Sequence, residues 1–123
     1  MTADELAAAL VNFRFRYKDE KELQAGVAQC LAVLGLPFIP EYSLNTKDRV
    51  DFLLVPDGIG IECKTDDSRG GAGLSSVTRQ LWRYAKSDEV KAIILITTRS
   101  KHRDLPSEIL GKPLFVVYLN SFL

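Results

Sequence analysis

Two runs of β-forming residues, Arg49-Val-Asp-Phe-Leu-Leu-Val55 and Ile59-Gly-Ile-Glu-Cys-Lys64, are separated only by Pro56-Asp-Gly58. Proline and glycine at that junction are turn residues, so the stretch predicts two adjacent strands. Each strand carries charge where packing alone would not ask for it: Asp51 opens the stretch Asp51-Phe-Leu-Leu-Val55 of the first run, and Glu62 and Lys64 interrupt the end of the second. Residues two apart on a strand share a face, so Glu62 and Lys64 point one way while Ile61 and Cys63 point the other. In a hairpin of the two strands, Asp51 comes near Glu62.

Working outward, Phe38–Leu44 reads as a preceding strand and Asn45–Asp48 as its turn, so three short strands form an antiparallel meander. Before them, Leu23, Val27, Cys30, Leu31 and Leu34 recur at helical spacing over about Asp19–Leu34, and Gly35 supplies a stop. After them comes the polar, glycine-rich stretch Asp66–Gly73, then a helix over about Leu74–Ser87 with Leu74, Val77, Leu81 and Tyr84 or Ala85 inward. Val90–Thr97 is a nearly unbroken apolar and β-branched run, the pattern of a central buried strand. Thr98–Pro106 is polar and basic, and Leu114–Leu119 supplies a last strand. Residues 1–18 hold a short helix around Asp4–Leu10 and a mixed aromatic and basic segment, Asn12–Tyr17, expected to be a small extension or a protein contact. Residues 19–123 then form a single α/β domain, a mixed sheet flanked by helices.

Composition sets the limits. With 123 residues, 46% hydrophobic and 26% charged, the chain suits one compact domain and argues against a multidomain enzyme or a disordered tail. Sixteen Lys and Arg balance sixteen Asp and Glu, so overall basicity gives no argument for a nucleic-acid partner. Cys30 and Cys63 lie inside regular segments without metal-like spacing, which points to a reducing, cytoplasmic setting. No opening run resembles a signal peptide, and no apolar run approaches the roughly 18 residues of a membrane span.

A single strand Asp or Glu ordinarily faces solvent or pairs with a base. Two carboxylates adjacent across strands are different: they make an oxygen-rich site for a hard divalent cation, Mg2+ being the natural candidate, with Mn2+ as a substitute. A neighbouring lysine suits stabilisation of a phosphate or orientation of water. Asp51 followed after a hairpin-length gap by Glu62-Cys63-Lys64 resembles the PD-(D/E)XK nuclease signature, in which an Asp and a Glu-x-Lys lie on adjacent strands of a restriction-endonuclease-like αβββαβ core. The resemblance covers most of residues 19–119, and departs from the written motif in having Val50 where proline precedes the Asp. It implies that Asp51, Glu62 and the backbone carbonyl of Cys63 hold the cation and that Lys64 acts on the water.

Two further matches extend it. Many family members place a metal-binding glutamate in the first helix; Glu20 is the preferred match here and Glu22 its competitor. Gln80-Leu-Trp-Arg-Tyr84 resembles the Gln-x-x-x-Tyr motif of the RecB-like branch, whose pair borders the active site; one helical turn apart, Gln80 and Tyr84 can present together, the alternative being Tyr84 as a half-buried anchor. Local charge supports a nucleic-acid role: between Arg79 and Arg103 seven basic residues face only Asp88 and Glu89, a formal net of plus five, and Arg79, Arg99, Lys101 and Arg103 are the candidate DNA contacts. His102 is expected to face solvent. The glycine-rich loop lacks a P-loop's lysine and spacing, and is expected either to close over substrate or to become ordered when DNA binds. The resemblance therefore implies a Mg2+-dependent endonuclease acting on DNA, structure-selective or weakly sequence-specific. The alternatives are a catalytically silent DNA-binding or assembly domain, or an RNA-directed nuclease. A homodimer would set two sites on a duplex and bury the N-terminal aromatic segment, and the small size fits phage or prokaryotic DNA processing.

Overall fold

The computed structural model of the chain describes residues 1–66 and 73–119. Three helices, α1 (Ala3–Val11), α2 (Glu20–Val33) and α3 (Leu74–Ala85), flank six strands: β1 (Phe38–Ser43), β2 (Arg49–Leu54), β3 (Ile59–Lys64), β4 (Ala92–Thr97), β5 (Glu108–Ile109) and β6 (Lys112–Tyr118). The sheet order is β1-β2-β3-β4-β6-β5. The short turns leave β1, β2 and β3 antiparallel, whereas β3, β4 and β6 run parallel because a chain that must cross the sheet, as α3 does between β3 and β4, returns in the same direction.

The strand alternation divides the core into two layers. Ile94 and Ile96 of β4 pack with Ile61 and Cys63 toward α1 and α2, while Ile93 and Leu95 pack toward Val77, Leu81 and Tyr84 of α3. Every residue of β4 is buried, as its unbroken apolar pattern predicts for a strand covered on both faces. Asp19 caps α2 by accepting from the Glu22 N–H at 2.8 Å, and Gly35, in the left-handed region at φ 71°, ends it. Gly58 fixes the β2–β3 turn: it has φ 72°, and a Cβ there would lie 2.6 Å from the Glu89 carbonyl oxygen.

Residues 1–18 are built into this core. Thr2 and Glu5 form a capping box on α1, Leu6 and Leu10 are fully buried, and the helix packs on β6 and β4. Phe13, Phe15 and Tyr17 pack onto the same core, so the aromatic segment is covered within one chain and does not need a second copy to bury it. Two short elements were not expected, the 3-10 turn Ser100–Asp104 and β5; neither carries a periodic apolar pattern long enough to read. Most of the glycine-rich loop, residues 67–72, lies outside the described residues. Among the described residues no helix is long and apolar enough to cross a membrane.

Candidate active site

The β2–β3 register pairs Leu54 with Ile59, Leu53 with Gly60 and Phe52 with Ile61. One step further it would set Asp51 opposite Glu62, and there the backbone ladder gives way to carboxylates. The Asp51 N–H donates to Glu62 Oε1 at 3.2 Å, and the Cys63 N–H donates to Asp51 Oδ2 at 2.8 Å. Each acid therefore satisfies a backbone donor on the opposite strand, which holds both side chains in the gap between β2 and β3.

Glu62 and Lys64 are each only 3% exposed, held from the other side by the parallel ladder to Leu95 and Thr97 of β4. Lys64 Nζ lies 3.7 Å from Glu62 Oε2. Burial pushes the Asp51 carboxyl up to about 6; the Glu20 charge adds to the rise, while the Cys63 N–H and Gln24 pull against it. Glu62 is raised well above the usual carboxylate range, first by burial and then by the Asp51 charge, with Lys64 opposing. Burial likewise raises the Cys63 thiol, which sits in the core on the far side of the sheet. Cys63 thus meets the acidic pair through its backbone alone.

Asp51, Glu62, Lys64, Glu20 and Gln80 line one cavity of about 520 Å³. The sequence left Glu20 and Glu22 in competition; the structure separates them. Glu20 reaches the cavity and accepts from Gln24 Nε2 at 3.3 Å, whereas Glu22 Oε1 turns back to accept from the Lys18 N–H at 3.0 Å. Gln80 and Tyr84 meet the acidic pair in different ways. Gln80 is on the cavity wall, while Tyr84, 1% exposed, lies beneath it and donates its hydroxyl to the Arg49 carbonyl at 2.8 Å. Burial, the charges of Glu62 and Asp51, and a hydrogen-bonding interaction with the Glu62 carboxylate hold that phenol protonated, so Tyr84 touches the acidic pair as well as the Arg49 backbone. Tyr84 is therefore the anchor that fixes β2 just before Asp51.

Of the candidate DNA contacts, Arg79, Arg99 and Lys101 line a second, shallow cavity of about 730 Å³ beside Ser75 and Thr78 at the start of α3. Arg99 also pairs with Asp66 at 3.4 Å. Arg103 stands apart, its guanidinium 4.6 Å from the centre of the Tyr118 ring. His102 is corrected outright: expected in solvent, it is fully buried, with Nδ1 2.6 Å from Thr97 Oγ1, which also accepts from the Arg99 N–H at 3.0 Å. The polar neighbours that suggested exposure belong to a 3-10 turn whose one inward position is the histidine.

Gln24, Glu41 and Arg49 also line the main cavity and were not anticipated. Gln24 follows Glu20 by one helical turn and Arg49 precedes Asp51 by two strand positions, spacings that the sequence did offer. Glu41 arrives through a left-handed backbone at φ 47°, for which a glutamate gives no signal.

Among the described residues no group of three or more His, Cys, Asp and Glu side chains is arranged to hold a metal. The donor chemistry still suits a hard cation: two buried carboxylates oppose one another's ionisation, and a third, Glu20, faces the same cavity. No protein-family model matches the chain, and comparisons with curated proteins and with solved structures find no significant match.

Proposed function

We propose that the chain is a metal-dependent nuclease of the PD-(D/E)XK type that hydrolyses DNA phosphodiester bonds, and that α2-β1-β2-β3-α3-β4 is its restriction-endonuclease-like core. One observation carries the proposal: Asp51, Glu62 and Lys64, on two strands that part between them, share a cavity with Glu20 of α2 and Gln80 of α3. Asp51 and Glu62, with the Cys63 carbonyl and Glu20, are the groups suited to hold Mg2+ or Mn2+. The bound cation supplies a polarised phosphoryl group and a water of lowered pKa. Lys64 offers positive charge 3.7 Å from Glu62, placed to steady a phosphate oxygen and orient the water. Gln80 positions substrate at the wall, and Tyr84 is a positioning residue acting through the Arg49 backbone. Arg79, Arg99 and Lys101 form a phosphate-binding patch beside α3, with Arg103 further out.

The test is incubation of the purified chain with Mg2+ or Mn2+ and single-stranded, duplex, nicked, flap and four-way-junction DNA, with RNA in parallel. Metal-dependent DNA cleavage that disappears in Lys64→Ala and Asp51→Asn is expected. No cleavage of any substrate, with Lys64→Ala indistinguishable from the parent, would assign the fold to a silent binding or assembly role. Cleavage of RNA alone would move the substrate class.

A further inference from the structure

The segment between α1 and α2 has no part in the site described so far. Its exposure alternates: Phe13, Phe15 and Tyr17 turn inward and are partly buried, while Arg14, Arg16 and Lys18 are exposed. The ring of Phe15 lies close against α2 at Gly26, where a Cβ would come within 3.2 Å of Phe15 Cδ1. Phe13 and Phe15 stack at 6.2 Å, stiffening the strip further. None of the three cations belongs to an ion pair among the described residues, and residues 12–18 contain no acid, a formal charge of plus three. Glu22 of α2 lines the same groove as Arg14 and Arg16, with its Oε1 accepting from the Lys18 N–H, and forms no ion pair with either arginine.

The strip has a direction. One residue after Lys18 the chain reaches Asp19, Glu20 and Lys21, all of which line the acidic cavity. We propose that residues 12–18 form a backbone track that carries one strand of the nucleic-acid substrate into that cavity, with Arg14, Arg16 and Lys18 each meeting a phosphate. The inference rests on the nuclease reading of the site and adds the path by which substrate enters it. Alternate residues of an extended chain are about 6–7 Å apart, a spacing comparable to that of successive phosphates along a strand. Cations on alternate exposed residues, ending at a concave acidic site, fit a polyanion whose next phosphate must lie in that site. An anionic membrane is the poorer match, since membrane-lying segments expose their apolar side and here the aromatic side chains face the core. Together with Arg79, Arg99 and Lys101 near α3, the track gives the acidic cavity a cationic approach from both helices that border it.

The experiment measures binding of a fluorescein-labelled single strand and duplex without divalent cation, so that cleavage plays no part, between 50 and 200 mM salt. The proteins are the parent, Arg14→Gln/Arg16→Gln/Lys18→Gln, and a control with Lys47→Gln/Lys91→Gln elsewhere on the surface, each checked for an unchanged melting temperature. Each lost phosphate contact lowers the log–log salt slope by about 0.7 for a single strand, so the triple variant should lose about 2 from its slope, and its fourfold-salt affinity ratio should shrink roughly 16-fold. The control should keep at least the parent's slope less the value of one contact. A triple variant that binds with the parent's slope overturns the track while leaving the nuclease reading intact. A parent that binds no nucleic acid, or binds phosphatidylserine vesicles and no oligonucleotide, overturns the track; metal-dependent cleavage by that same parent decides the nuclease reading separately.

Discussion

Replacing Asp51 by asparagine should stabilise the metal-free protein at neutral pH, an unusual result for a buried charged residue with two hydrogen-bonded neighbours. In the fold its carboxyl titrates near 6, against 3.8 as the unperturbed value, chiefly because burial opposes the charge. The folded pKa lies above the unfolded one, so the protein binds the extra proton between those values and stability falls as pH rises through them. The contribution is favourable in full below about 3.8 and is lost by the time pH has passed about 6. At about 1.36 kcal/mol per unit, ionising Asp51 at pH 7.5 costs the fold at most about 3 kcal/mol, falling to about half that at pH 5 and to well under 1 kcal/mol at pH 4.

Asparagine keeps an oxygen for the Cys63 N–H and removes both the buried charge and its repulsion of Glu62. A gain of about 1–3 kcal/mol corresponds to a melting temperature higher by about 4–12 °C for a domain of this size. Thermal unfolding followed by circular dichroism in EDTA at pH 7.5, 5 and 4 measures it. The advantage of Asp51→Asn should shrink steadily toward pH 4, and added Mg2+ should raise the parent's midpoint but not the variant's. A variant less stable than the parent at pH 7.5, or an advantage independent of pH, would refute the claim that the acidic pair is held against its own repulsion.

The helix residues give a sharper comparison. Glu20→Gln should weaken Mn2+ binding, read by calorimetry, because Glu20 lines the cavity, whereas Glu22→Gln should leave it unchanged and cost only the Lys18 N–H contact. Tyr84→Phe leaves the Arg49 carbonyl without its donor and should lower stability by about 0.5–1.5 kcal/mol in a denaturant titration. The same variant should impair DNA cleavage less than Lys64→Ala, since the phenol touches Glu62 and the Arg49 backbone but does not itself line the cavity. Leu10→Ala should destabilise by about 2–5 kcal/mol in the same assay, as expected for a fully buried leucine and not for one on an appended extension.

The legibility of the chain follows from the range over which each feature is determined. The meander, α2, α3 and β4 were readable because their evidence is local: turn residues at short intervals, helical spacing of Leu23, Val27, Cys30 and Leu31, and the apolar run ending at Thr97. The pairing of Asp51 with Glu62 was also readable, since a short turn fixes register and register fixes which residues oppose. Features decided by distant packing were not. The inward turn of His102 depends on Thr97 at the end of β4, and the burial of α1 depends on the exposed flank of β6 and β4 that it covers. Neither partner lies within a helical turn or a strand pair of the residue it governs, so no periodicity marks it.

The separation of Gln80 from Tyr84 shows how far spacing alone can carry an assignment. Residues four apart share a helix face, which is why both were expected at the site. But the two side chains differ in burial: Gln80 is partly exposed, whereas Tyr84 is only 1% exposed. Tyr84 is buried beside the acidic pair, bonding the Arg49 carbonyl and interacting with Glu62, while Gln80, one turn nearer the helix start, borders the cavity. The anchor matters because Arg49 lies two residues before Asp51, where β2 has lost its ladder to β3. A strand end freed on one side needs fixing from elsewhere if its carboxylate is to stay opposite Glu62. The tyrosine and the acidic pair thus form one device: where the β2–β3 backbone ladder stops, the Asp51 and Glu62 carboxylates bond across the gap, and the β1 ladder together with the Tyr84 phenol restrains β2 just before Asp51.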